Sequence, residues 1–75
     1  MFEELETVVL THDIDEYDLK KGDMGAIVNI YSDVDYEVEF VTASGKTVAL
    51  LTLNIKDIRP VAKNEILHVR GFASQ

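Results

Sequence analysis

The chain has no cysteine among its 75 residues. That excludes a disulfide staple, a thiolate metal ligand and a thiol nucleophile. Basic residues are scarce, seven Lys and Arg against fourteen Asp and Glu, and the net charge is −7. A field of that sign repels phosphate backbones and attracts basic partners, so binding of nucleic acid is not expected. There is no long hydrophobic run. Val48 to Leu51 is the longest unbroken apolar stretch, far short of the ~20 residues that span a bilayer. The opening residues MFEELE are acidic and do not read as a signal peptide. The expected location is therefore the cytoplasm, with no membrane partner. Histidine occurs only at positions 12 and 68, and proline only at 60.

What is present is a core-forming composition. Apolar residues make up 47% and charged residues 28%, which suits one small globular domain and not a disordered chain. A chain of this length buries only roughly 60% of its unfolded surface, so its core must be compact or a partner must extend it. The charge is unevenly spread. Residues 1–23 carry eight acids against Lys20 and Lys21, a balance of −6, and the rest is near neutral.

Alternation of apolar and polar residues predicts an all-β fold, a small SH3-like barrel of about five strands in residues 1–61. Glu6 to Leu10 reads as the first strand, followed by a long loop anchored by Leu19. Gly22 and Gly25 supply either a positive φ or room for another backbone to approach closely, and frame a turn before a second strand, Ala26 to Tyr31. Apolar groups on both of its faces suggest a bend or bulge. Tyr36 to Thr42 alternates cleanly, with Tyr36, Val38 and Phe40 on one face and Glu37 and Glu39 on the other. Ser44-Gly45 closes a hairpin. If Ala43 pairs with Lys46, then Phe40 faces Ala49, Val38 faces Leu51 and Tyr36 faces Leu53, all on one side. Asn54 to Ile58 reads as a single 3₁₀ turn whose Ile55 and Ile58 plug the barrel end. Arg59-Pro60-Val61 closes as an edge strand. The expected core includes Leu10, Leu19, Ile30, Val38, Phe40, Leu51, Ile55 and Ile58. Residues 62–75 form a C-terminal extension. Ile66, Leu67, Val69 and Phe72 are too apolar for an idle tail, and Glu65 to Val69 is competent to add as a strand, on its own domain or in a homodimer.

Residues Leu10 and Asp13, Leu19 with Gly22 and Gly25, the run Tyr36-Glu37-Val38-Glu39-Phe40, Gly45-Lys46 and Arg59-Pro60 together carry a resemblance. Over about residues 8–61 the chain resembles an uncharacterised family of short bacterial proteins, the domain of unknown function four-nine-two-six. The resemblance implies an SH3-like barrel and no assigned activity. For some members it implies genes beside those of small toxin-like proteins. The chain departs from that pattern at Asp15, where Pro is expected, and in its tail. A looser similarity links it to SH3-like accessory subunits of photosystem and nitrile hydratase, which hold larger partners. Gly22, Gly25 and Ile27 echo the ribosomal KOW motif, but here in acidic surroundings.

Catalytic chemistry finds little support. His12, His68, Ser32, Ser44 and Ser74 have no spacing that pairs nucleophile, base and orienting group. His12-Asp13-Ile14-Asp15-Glu16 gathers an imidazole and three carboxylates, but lacks the spacing of a zinc site or an EF-hand loop. No cofactor and no metal is expected. Glu37 and Glu39 read as solvent-facing. The one feature above background is the outer face of the hairpin. The core register places Val41 opposite Val48 and Glu39 opposite Leu50. Val41, Val48 and Leu50 thus form an outward apolar cluster edged by Glu37, Glu39 and Thr52, either an interface or a patch that the chain's own tail or N-terminus covers. The sequence therefore points to a non-catalytic protein-binding module or accessory subunit. The alternative is an acidic, antitoxin-type inhibitor of a basic protein.

Overall fold

A computed structural model of the chain describes residues 2–72. Five strands occur in order: β1 (Thr7–Leu10), β2 (Met24–Ile30), β3 (Asp35–Val41), β4 (Thr47–Asn54) and β5 (Ile58–Pro60). They form one antiparallel sheet in the order β4-β3-β2-β1-β5. The fold is all-β; the only helical pieces among the described residues are two 3₁₀ turns, Asp15–Tyr17 and Ile55–Asp57. The second directly precedes β5, where one was expected. The first lies inside the long loop and adds to the single turn expected.

The β3–β4 hairpin holds the register that alternation dictates. Tyr36 pairs with Leu53, Val38 with Leu51 and Phe40 with Ala49, and all six are buried. Gly45 takes a positive φ of 89° in the turn, a conformation that costs glycine little because it has no Cβ. The regular pairing breaks between Phe40 and Val41, so that Val41 faces Thr47 and not Val48. This bulge inserts Val48 as the extra residue. Val48 is consequently half-buried and packs against the core, which corrects the expected outward orientation.

Strand β2 is also bulged, between Ile27 and Asn29. Ile27 lies fully in the core. Ile30 was expected there too but is exposed. It ends its strand at the sheet rim, and Phe2 packs edge-on against Tyr36 instead, with ring centroids 5.4 Å apart. Ile55 is likewise exposed at the start of its 3₁₀ turn, leaving Ile58 to fill the end of the core. Leu19 anchors the loop as expected, buried and bridged to Ile14. Side chains from all five strands meet Leu19 and Phe2 in a single cluster, so the sheet curls around its inner face.

Of the two roles expected of the glycines at this turn, Gly22 takes the positive φ and Gly25 the close approach. Gly25 sits within β2 opposite Val8. A Cβ there would lie 2.7 Å from Val38 Cγ1 and 2.9 Å from both the Glu39 carbonyl oxygen and Phe40 Cε1. Its function is close approach to β3.

Residues 62–72 contain no strand. The expected strand addition by Glu65 to Val69 therefore does not occur within the described chain. The tail folds back through side-chain contacts instead. Residues 73–75 of the expected extension, including Ser74, lie outside the described residues.

Candidate functional site

Two surfaces share the β3–β4 hairpin. The first is the outer face singled out by the sequence. Val41 is 51% and Leu50 53% exposed. Glu39 pairs with Leu50, and Glu37 with Thr52. Both glutamates are half-buried, and Thr47 Oγ1 donates to Glu39 Oε2 at 2.8 Å. The structure thus brings Leu50, Glu37 and Glu39 onto one face, with Val41 at the bulged end. Val48 is drawn away toward the core and the second surface.

That second surface centres on Asp23, which no sequence argument identified as more than a turn residue. It is the one buried acid among the described residues, 8% exposed. Its Oδ2 accepts the Lys20 N–H at 2.9 Å, closing the turn before β2. Arg70 reaches it from the tail in a bidentate pair, Nε to Oδ1 at 2.7 Å and a terminal nitrogen to Oδ2 at 2.5 Å. The same terminal nitrogen donates to the Asp18 carbonyl at 2.9 Å. His68 Nε2 lies 3.2 Å from Oδ1. Burial alone pushes the Asp23 carboxyl up, but hydrogen bonds from Arg70 and the Lys20 N–H prevail and hold it below its ordinary value. The Asp23 hydrogen bond in turn raises the Arg70 guanidinium. Arg70 also sits 5.9 Å from the Phe72 ring centroid, and Phe72 packs against the core cluster.

The near end of the tail has its own clasp. Arg59 donates to both oxygens of Glu65 at 2.7 Å, and Glu65 also accepts the Ala62 N–H. Between the clasps the chain presents apolar groups outward: Ile66 is 97% and Val69 93% exposed. An open cleft of about 650 Å³ runs between the docked tail and the hairpin, walled by Leu19, Met24, Phe40 and Val48 on the body and by Val69 and Phe72 on the tail.

The acidic loop does not assemble a metal centre. Among the described residues no three metal-ligating side chains converge. His12 turns to Asp57, Nε2 to Oδ1 at 2.7 Å, while its Nδ1 meets the Asp13 carbonyl at 2.9 Å. Those two bonds, the Asp57 bond first, raise the His12 pKa above its ordinary value. The pair fastens the loop to the second 3₁₀ turn, where Asn54 and Asp57 form a reciprocal capping box. Asp13 accepts the Lys21 N–H at 2.7 Å. Asp15 and Glu16 remain exposed. Among the described residues no helix is long and apolar enough to cross a membrane.

The family model described as Domain of unknown function (DUF4926) matches residues 4–60, spanning all five strands and ending before the tail. No curated protein and no solved structure matches the chain.

Proposed function

The chain belongs to this family of unknown function, Domain of unknown function (DUF4926), and from that premise we propose that it is a non-catalytic protein-binding module or accessory subunit acting in the cytoplasm. The observation that carries the reading is the outer hairpin face. Two large apolar side chains, Val41 and Leu50, are about half exposed beside Glu37 and Glu39. An apolar centre with an acidic rim suits a protein partner with apolar and basic groups. Reading the curled sheet as an SH3-like barrel rests on its strand order and on the 3₁₀ turn before β5.

An acidic inhibitor of a basic protein is the second reading. It is favoured by the exposed Asp13, Asp15, Glu16 and Asp18 on one loop. In either form the net charge of −7 disfavours nucleic acid.

The test compares proteins recovered by affinity capture from the native host with the wild-type chain and with a Val41→Asp/Leu50→Asp variant. Both positions are about half exposed, and because Leu50→Asp faces Glu39, the fold of the variant is checked by circular dichroism before capture. A partner retained by the wild type and lost from the folded variant supports the reading. Identical recovery with both chains sinks it. A small basic protein that is lost instead on neutralising Asp13, Asp15 and Glu16 supports the inhibitor reading.

A further inference from the structure

The body of the cleft and its present occupant come from different parts of the chain. Leu19, Asp23, Met24, Phe40 and Val48 all lie within the family region, residues 4–60. His68, Arg70 and Phe72 lie beyond it. One wall of the cleft thus lies within the family region, and the tail that lies along it forms the other. We propose that this groove is a peptide-binding site for an extended segment carrying arginine and, two residues on, an aromatic, and that Arg70-Gly71-Phe72 fills it in cis as a built-in ligand. The occupant in trans is such a segment of a basic protein partner. The proposal rests on the protein-binding reading but uses a different surface from the exposed pair Val41 and Leu50.

The chemistry of the anchor is selective. Asp23 offers both carboxylate oxygens to a guanidinium fork, and the Asp18 carbonyl takes a further N–H. A planar fork satisfies three acceptors at fixed angles, which a lysine ammonium cannot reproduce. The aromatic packs onto the core edge, where Phe72 is only half-buried. The tail also under-fills its place, since about 650 Å³ stays open beside it. Its middle residues Ile66 and Val69 are almost wholly exposed. It is held by Glu65 on Arg59 at one end and by His68, Arg70 and Phe72 at the other. Charge complementarity selects a basic segment, because Asp23 belongs to the stretch 1–23 whose balance is −6.

A fluorescent peptide with the sequence of residues 64–75 is the probe, read by anisotropy. An Arg70→Ala/Phe72→Ala full-length chain has its own ligand disabled. The peptide should bind it at least about tenfold more tightly than the wild type, since a tethered competitor acts at roughly millimolar effective concentration. Changing the arginine in the peptide to alanine or lysine should abolish that gain. So should Asp23→Asn in the protein, which keeps the acceptor for the Lys20 N–H. If the double variant does not fold, the wild-type chain serves. Excess peptide should then shift the amide resonances of Asp23 and Val48 and release those of Arg70 and Phe72 in nuclear magnetic resonance spectra. Absence of binding to a folded double variant, or of those shifts, overturns the proposal. So does equal binding by Asp23→Asn. A wild-type dimer that dissociates on Asp23→Asn would overturn the partner assignment in favour of tails exchanged between two copies. A host partner lost on Val41→Asp/Leu50→Asp with no peptide binding here would leave the protein-binding reading standing and sink this site alone.

Discussion

Gly25→Ala separates two physical effects of opposite sign. On backbone propensity alone, alanine in a strand interior should gain about 0.5–1 kcal/mol over glycine. The structure reverses that expectation. The added methyl would stand 2.7 Å from Val38 Cγ1, 2.9 Å from the Glu39 carbonyl oxygen and 2.9 Å from Phe40 Cε1. Carbon atoms pack optimally at about 3.5–4.0 Å, so all three contacts are repulsive. None can yield cheaply. Val38 is a β-branched side chain, fully buried, and Phe40 is 2% exposed. The carbonyl belongs to β3, which is paired on both sides. Overpacking of this kind costs about 1–3 kcal/mol, more than the propensity gain. The expected outcome is a lower melting temperature, by about 4–8 °C for each net kcal/mol in a domain of this size. Thermal unfolding monitored by circular dichroism measures it. Gly71→Ala is the control, because a methyl there meets nothing within 4 Å, and its stability should stay within about 0.5 kcal/mol of wild type. A Gly25→Ala chain that melts at or above the wild-type temperature would refute the close-approach argument.

Phe40→Ala should lose about 3–5 kcal/mol, a large share of the total stability of a small domain, and chemical denaturation would read it; a loss under about 1 kcal/mol would show Phe40 to be peripheral. Asp23 has its folded pKa depressed below 3.8, so its contribution is present above that value and disappears as pH falls through the folded pKa; Glu65, drawn down to about 2 by Arg59, acts in the same direction. Acid titration of stability should therefore be shallower for Asp23→Asn than for wild type below pH about 4, and identical slopes would argue against the Arg70 clasp in solution. His12 titrates in the opposite sense. Its pKa is raised above 6.5, so its bond to Asp57 contributes most below that value and weakens as pH rises through the folded pKa. Imidazole resonances should give a value above 6.5 that returns toward it in Asp57→Asn, and an unshifted wild-type value would mean that the loop is not fastened there.

Much of the sheet was legible because strand periodicity is local. Tyr36, Val38 and Phe40 alternate with Glu37 and Glu39, and a two-residue period leaves one pairing that buries all six apolar groups across the hairpin. The same logic located Leu50 opposite Glu39. It could not foresee the bulge that turns Val48 inward, because one extra residue in a strand changes which face its neighbours occupy without altering the composition. The fates of Ile30 and Ile55 were hidden for a related reason. Their hydrophobicity is plain, but at the rim of a sheet geometry decides which of several apolar residues are covered, and Phe2 and Ile58 were the ones enclosed.

The amino-acid order by itself determined that the chain is all-β, where its hairpin turns, and which residues of β3 face the core. Tertiary structure alone decided that Asp23 is buried, that Arg70 and His68 from the tail meet it, that His12 belongs to Asp57, and which atoms crowd Gly25. Periodicity arises from residues a few positions apart, which obey the geometry of a single strand. Asp23 and Arg70 are 47 residues apart, and no local pattern encodes a meeting that exists only once the sheet has curled and the tail has crossed it.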